Sequence, residues 1–153
     1  MKLTQYSDYS LRVLIYLGIQ AEELSTISAI SESYGISRNH IVKVVHQLGQ
    51  LGYVETLRGK HGGLRLARKP AEINVGEVIR HTEASMSLVE CFGDRNACVL
   101  TPHCVLRTAF SEALEAFLDV LDSYTLADLI SRKRTLRRDL LPVVTDATPR
   151  PAK

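Results

Sequence analysis

The stretch STISAISESYGISRNHIVKVVHQLGQLGYV, residues 25–54, constrains the fold more than any other part of the chain. Thr26 or Ser28 can cap a short helix, and Gly35 supplies a sharp turn. A second helix then follows, and its apolar residues recur at helical spacing: Ile41, Val44, Val45, Leu48 and Leu51. Two short helices around such a turn predict a helix-turn-helix, whose second helix can enter a major groove. The alternative is an ordinary helical corner with a solvated basic face.

A β-hairpin is predicted directly after the second helix. Residues 53–57 and 64–67 read as two strands, and RGKHGG between them forms a glycine-rich basic turn. A hairpin in this position is the wing of a winged helix. Its tip places Arg58, Lys60 and His61 where a phosphate backbone or minor groove would lie. The glycines match neither nucleotide-binding motif, GxGxxG or GxxxxGK[ST], so we assign them to the turn.

The net charge of +2 conceals two regions of opposite sign. Residues 35–69 carry seven basic residues and one acidic residue, whereas residues 111–131 carry five acidic residues and no Lys or Arg. Only the first region is therefore expected to face a polyanion, namely double-stranded DNA. On the second helix, the groove contacts that we predict are Arg38, Asn39, His40 and Lys43.

All three cysteines lie within CFGDRNACVLTPHC, residues 91–104. Thiolates select zinc, Cu(I) and iron–sulfur clusters, so this loop is a candidate metal or cluster site. Two other readings are a chance group of inert thiols and a disulfide with one spare thiol. Three thiolates leave a fourth coordination position for another residue or an exogenous ligand.

The first helix follows a possible cap at Thr4, and it is apolar almost all round, which predicts a buried helix. Asp8 lies near its start, where the helix dipole tolerates a carboxylate without any functional reason. No apolar run approaches the ~20 residues that span a bilayer, and the first residues lack the features of a signal peptide. We expect a cytoplasmic protein. We find no nucleophile–base pair and no pair of carboxylates at a spacing that indicates catalysis, so an enzyme is not expected.

A long helix is predicted after Cys104. Its apolar residues follow the spacing of a coiled-coil seam: Leu106, Phe110, Ala113, Phe117 and Val120 or Leu121. We favour a homodimer seam over packing on the same chain, since two winged helices would then read a palindromic operator. Thr125 can cap a last helix that runs to about Leu141.

The predicted fold is mainly α with a small β wing. Four parts follow: a winged helix-turn-helix domain at 1–82, a cysteine loop at 83–104, a dimerisation helix and C-terminal helix at 105–140, and a disordered tail at 141–153.

Several segments together resemble the winged-helix iron–sulfur regulators that include IscR, and in particular their nitric-oxide-sensing branch. The most specific are YGISRNHIVKVVHQLGQLGYV, RGKHGGLRLA, SLVEC, TPHCVLRTA and SYTLADL. The resemblance covers about residues 1–132. It implies a dimeric repressor whose protomers each hold an iron–sulfur cluster, 4Fe–4S or 2Fe–2S, on Cys91, Cys98 and Cys104.

The fourth ligand separates the branches of this family. IscR-like members use a histidine three residues beyond the last cysteine, where this chain has Arg107. The nitric-oxide-sensing branch uses an N-terminal aspartate from the other protomer, and Asp8 falls at the matching place. The spacer between Cys91 and Cys98 is longer than in many relatives, which leaves three other candidates: His103, Glu90 and Asp94.

The resemblance also implies a mechanism. A carboxylate is a harder and weaker iron ligand than a thiolate, so nitric oxide could displace it. Nitrosylation would then release the operators of nitric-oxide detoxification genes. The competing hypotheses are a zinc-stabilised winged helix with a closed site and a thiol-redox regulator without metal.

Overall fold

The computed structural model describes residues 2–20, 23–60, 62–93 and 96–141. Within them, the α-helices are α1 (Gln5–Gln20), α2 (Ile27–Tyr34), α3 (Arg38–Gln50), α4 (Val75–Thr82), α5 (Val105–Asp122), α6 (Leu126–Leu129) and α7 (Lys133–Leu140). The strands are β1 (Val54–Leu57) and β2 (Gly63–Leu66). Short 3-10 turns lie at Pro70–Glu72, Glu90–Phe92 and Thr101–His103. None of the helices in this part of the chain is long and apolar enough to cross a membrane.

Helix α1 is the centre of the core. This helix packs against α3, α4, β2, α6 and α7, and its residues Val13, Leu14 and Ile19 are therefore fully buried in the core. The Oγ1 atom of Thr4 accepts a hydrogen bond from the Ser7 amide at 3.2 Å, which satisfies a free donor of the first turn. The predicted buried first helix and its cap are therefore confirmed.

Helices α2 and α3 form the predicted helix-turn-helix. Thr26 caps α2 by accepting from the Ala29 amide at 3.1 Å, and Ser37 caps α3 through the His40 amide at 3.4 Å. Between the helices, Gly35 adopts φ 63°, a left-handed conformation that a residue with a Cβ atom rarely adopts. Local residue chemistry thus sets both helix starts and the turn that joins them.

Strands β1 and β2 form the antiparallel wing, with Val54 opposite Leu66 and Leu57 opposite Gly63. The segment before α2 extends this sheet, because Ser25 and Leu64 exchange two backbone hydrogen bonds of 3.0 and 2.8 Å. The wing is therefore fastened to the helix-turn-helix on one side. A mainly α fold with a small β wing is confirmed.

Helix α5 is attached to the domain near its C-terminal end. Arg80 of α4 donates two hydrogen bonds of 2.6 Å to the Asp122 carboxylate, and the Asn74 side chain donates to the Asp122 carbonyl at 2.6 Å. No residue of α5 is buried in the chain. Leu106 and Val120 of the predicted seam stay 60% and 59% exposed, so the described residues of one chain leave both side chains largely uncovered.

The prediction of one C-terminal helix to about Leu141 is wrong, because the structure divides it into α6 and α7. Thr125 and Asp128 form a capping box at the start of α6, as expected for a helix start. Ile130 then turns inward, where its side chain lies 3.1 Å from the position that a Cβ atom on Gly18 would take. The backbone leaves the helical path here, with φ −100° and ψ 12° at Ile130 and φ −91° and ψ 43° at Arg132, before α7 begins.

Candidate DNA-binding surface and cysteine loop

Helix α3 separates its residues by polarity. Its apolar side chains, including Ile41 and Leu48, are buried against the core. The opposite face is exposed and carries the four residues that the sequence predicts to contact a groove: Arg38, Asn39, His40 and Lys43. The His40 ring also lies 5.9 Å, between ring centroids, from Tyr9 of α1, so the start of α3 contacts the first helix.

The wing tip presents Arg58 and Lys60 to solvent, on either side of Gly59. His61, the third predicted wing contact, lies outside the described residues. Within the described chain, Arg58, Lys60, Arg38 and Lys43 form no ion pair with a carboxylate. These four positive charges therefore remain available to bind a polyanion such as DNA.

The three cysteines are free thiols. Cys91 and Cys104 are half-buried and Cys98 is exposed. Asn96 and Thr101 order the turn around Cys98: the Asn96 Oδ1 atom accepts from the Cys98 amide at 3.0 Å, and the Thr101 hydroxyl donates to the Cys98 carbonyl at 2.8 Å. The loop presents its thiols at or near the surface, so an incoming ligand could reach them.

The alternative ligands are placed differently. Glu90 accepts a hydrogen bond from the Ala97 amide at 3.3 Å, so its carboxylate helps to fold the loop. His103 is exposed in the turn Thr101–His103, and Asp94 lies outside the described residues. No group of three or more His, Cys, Asp or Glu side chains among the described residues is arranged to hold a metal ion. The donor chemistry of three thiolates in one loop suits an iron–sulfur cluster.

A cavity of about 760 Å³ lies between the loop and the start of α5. Cys104, Phe92 and Met86 line it, together with Arg107 of α5. Cys104 and Arg107 thus face the same cavity, at the junction of the loop with α5.

Asp8 lies in a second cavity, of about 450 Å³, which shares no lining residue with the first. Its carboxylate is half-exposed and pairs with Arg12, with both oxygens 3.0 Å from Nε. Gly35 and Ile36 line the same cavity, so Asp8 faces the turn of the helix-turn-helix. Within one chain, the structure therefore does not bring Asp8 to the cysteines.

Two residues near Asp8 were missed by the sequence reasoning. Arg12 lies over the Tyr34 ring, 5.8 Å from its centroid, and the Tyr34 hydroxyl donates to the Arg12 carbonyl at 3.0 Å. Burial raises the pKa of Tyr34 to about 12, so the hydroxyl keeps the proton that it donates. The spacing of Asp8 and Arg12 is that of an ion pair on one helix face and could have been recognised.

Glu83 was also missed. Its carboxylate, which follows α4, accepts hydrogen bonds from the Thr4 amide at 2.8 Å and from the Ser7 hydroxyl, and so holds the start of α1. Partial burial disfavours the charge, but the hydrogen bonds from Ser7 and Thr4 outweigh it and lower the pKa of Glu83. The helix turn that carries Asp8 is thereby fixed to the segment that leads into the cysteine loop.

Comparisons with known proteins agree with this arrangement. The sequence profile of Rrf2, described as an iron-dependent transcriptional regulator, matches residues 3–132. The chain is 55% identical over 140 residues to the HTH-type transcriptional regulator NsrR of Bacillus licheniformis, covering 90% of this chain and 98% of that protein. It is 54% identical to NsrR of Bacillus subtilis, covering 90% of this chain and 96% of that protein.

Solved structures show the same fold. T. potens IscR superposes with a TM-score of 0.71 at 26% identity, covering 86% of this chain and 88% of that chain. CymR, the global cysteine regulator of B. subtilis, also gives a TM-score of 0.71, at 28% identity, covering 86% of this chain and 98% of that chain. Both similarities extend beyond the winged helix, since each covers 86% of the chain.

Proposed function

Because the chain belongs to the Rrf2 family of iron-dependent transcriptional regulators, we propose that it is a repressor that senses nitric oxide through an iron–sulfur cluster. It is a transcriptional regulator and not an enzyme. In this proposal, a homodimer binds palindromic operators of nitric-oxide detoxification genes and releases them when nitric oxide reacts with the cluster. The observation that carries the proposal is the 55% identity to NsrR across a chain whose three free thiols occupy one loop.

DNA binding is assigned to α3 and the wing. Arg38, Asn39, His40 and Lys43 would lie in the major groove, since they share the exposed face of a capped helix. Arg58, Lys60 and His61 on the wing would contact the phosphate backbone or the minor groove. The free positive charges on both elements support this assignment.

Cys91, Cys98 and Cys104 would hold the cluster, with Asp8 of a second copy as the fourth ligand. A bound iron–sulfur cluster supplies an iron atom that reacts with nitric oxide. Asp8 pairs with Arg12 in the single chain, and its carboxylate oxygens are still half-exposed. It can therefore exchange one partner for another, an ordinary property of an exposed ion pair that stabilises by only ~0–1 kcal/mol.

The position of Asp8 supports a link between ligand and DNA. Its cavity is lined by Gly35 and Ile36, which lie immediately before the cap of α3, and Tyr9 on the next position of α1 contacts His40. Movement of Asp8 between Arg12 and the partner's loop would act on the turn that orients α3. The relation of the two recognition helices would then differ between the two states.

The apolar face of α5 supports the dimer. Two large apolar residues of its predicted seam, Leu106 and Val120, are 60% and 59% exposed. Large apolar side chains left in water along one helix favour association with a second copy. A two-fold dimer would present the two winged helices to a palindromic operator.

A thiol-redox or zinc-stabilised regulator is the second candidate function. The observation that favours it is that three free thiols lie at or near the surface of one loop, where they could be oxidised or bind zinc. A zinc site would be closed and colourless, and a thiol switch would need no metal at all.

One experiment separates these candidates. The full chain is purified without oxygen from iron-replete cells, and iron, sulfide and zinc are assayed. The visible spectrum and the binding of a duplex enriched from a random pool are then recorded before and after nitric oxide. A brown protein that loses both its colour and its DNA affinity supports the proposal. A colourless protein that contains zinc and ignores nitric oxide contradicts it.

A further inference from the structure

Arg68 lies just after β2, at the base of the wing, and its guanidinium contacts three separate parts of the domain. Nη2 donates to the Leu51 carbonyl at the end of α3, at 3.3 Å. The Cζ atom lies 4.8 Å from the centroid of the Tyr53 ring, at the start of the wing. Nη1 lies 3.7 Å from Glu77 Oε1 on α4. Arg68 thus joins the recognition helix, the wing and α4.

Tyr53 is the fixed surface beneath this guanidinium. The residue is fully buried, and its hydroxyl lies 2.8 Å from Nδ1 of His81 on α4. Its amide donates to the Leu48 carbonyl and its carbonyl accepts from the Ala67 amide, both at 2.9 Å. Burial first, and then the nearby Glu77 carboxylate, raise the pKa of Tyr53 to about 12, so the hydroxyl stays protonated.

The connection between α3 and β1 needs such a restraint. Gly52 reverses the chain there with φ 73°, and the Arg68 Nη2 atom lies 3.6 Å from the position that a Cβ atom on Gly52 would take. The wing itself has only two strands of four residues, and an isolated two-stranded hairpin is marginally stable in water. The Ser25–Leu64 pairing holds the β2 side of the wing, and contacts at the base are needed to hold β1 and the chain that leads out of α3.

We propose that Arg68 is a positioning residue for DNA binding, which fixes the wing against the recognition helix and makes no phosphate contact of its own. The inference rests on the proposed DNA binding and deepens it. The Arg68 guanidinium already contacts the Tyr53 ring, the Glu77 carboxylate and the Leu51 carbonyl. Arg58 at the wing tip has no such partners among the described residues and is the natural contrast.

The test compares Arg68→Lys and Arg68→Met with two controls in the full-length holoprotein. Arg58→Met removes a free charge from the wing tip. Arg65→Met removes a wing charge that is ion-paired with Glu55 at 2.9 Å on the exposed surface. Hydrogen exchange of residues 54–57 and 63–66 is measured by mass spectrometry without DNA. Affinity is measured over a range of salt concentrations with a duplex that the wild-type protein enriches from a random pool.

We expect both Arg68 variants to exchange faster in the wing and to bind the duplex about tenfold more weakly, with an unchanged salt slope. Arg68→Lys keeps the charge but cannot bridge the three partners, so it should not rescue binding. Arg58→Met should make the salt slope shallower by about one and leave exchange unchanged. Arg65→Met should leave wing exchange at the wild-type rate.

Wild-type exchange rates in both Arg68 variants would overturn the inference. A second pattern would also overturn it: Arg68→Met makes the salt slope shallower by about one, and Arg68→Lys binds like the wild-type protein. That pattern marks a direct phosphate contact. If Arg68→Met does not fold, Arg68→Lys carries both readouts. If the wild-type protein enriches no duplex, the proposed function fails, and the exchange measurement still decides whether Arg68 fixes the wing.

Discussion

Leu106→Ala should weaken self-association far more than it weakens the fold of one chain. Leu106 lies in the first turn of α5 and is 60% exposed, so most of its side chain remains available for burial by a partner. Complete burial of a leucine side chain stabilises by ~1.5–3 kcal/mol, and the exposed part accounts for roughly 1–2 kcal/mol of this. A two-fold interface contains the residue twice, which gives about 2–4 kcal/mol per dimer.

A change of this size is easily measured. Since ~1.4 kcal/mol corresponds to a tenfold change in an equilibrium constant, the dimer dissociation constant should rise by roughly 30-fold to several hundred-fold. Sedimentation equilibrium over a dilution series gives the constant directly. Circular dichroism at a concentration where both proteins are monomeric should show nearly equal thermal midpoints, because the monomer leaves most of this side chain in water.

Glu112→Ala is the matched control. Glu112 is exposed on the same helix but outside the predicted seam, so its removal should leave the dissociation constant nearly unchanged. The reasoning is refuted if Leu106→Ala dimerises like the wild-type protein. It is also refuted if both substitutions weaken the dimer equally, since the effect would then not follow the seam.

Three further predictions concern other parts of the protein. Asp8→Ala removes the proposed fourth ligand, so we expect less iron retained per chain and an altered stopped-flow reaction with nitric oxide; identical traces would argue against this ligand. Arg58→Gln should make the salt slope of DNA binding shallower by about one in fluorescence anisotropy, whereas an equal slope would show that Arg58 does not contact a phosphate. The pKa of Glu83 is lowered from its ordinary 4.5, so its contribution to stability is present above that value and is lost as pH falls through the lower folded value. The difference in thermal midpoint between wild type and Glu83→Gln should therefore shrink as pH falls, and a difference that persists in acid would contradict this.

The helix-turn-helix and wing were predictable from sequence because their determinants are local. Thr26 and Ser37 each cap a helix through an amide three residues away, and Gly35 needs no distant partner to adopt its turn. The helical spacing of the apolar residues predicts which face of α3 is buried. Such signals depend on a few neighbouring residues, which a single sequence contains in full.

The contacts that surround the candidate site were less predictable, because they join residues far apart in the chain. Glu83 holds Thr4 across 79 positions, and Arg80 holds Asp122 across 42. Ile130, at the end of α6, likewise meets Gly18 of α1, which is remote in the sequence. Charge and spacing identify each of these residues as polar or apolar, but only the fold determines which residue each one meets.

The position of Cys104 links the proposed cluster site to the proposed dimer seam. Cys104 is the N-cap residue of α5, and exposed Val105 and Leu106 follow it directly. In this arrangement, a ligand held by the Cys104 thiolate would bear directly on the first turn of the proposed seam. Formation of the dimer would in turn affect metal binding, because the coupling between two binding equilibria is reciprocal. If Asp8 completes the site from a second copy, dilution to monomer removes the fourth ligand, and the proposed site should lose iron over the same concentration range in which the dimer dissociates. The Leu106→Ala protein should therefore lose iron at a higher protein concentration than wild type, although the substitution touches no proposed ligand.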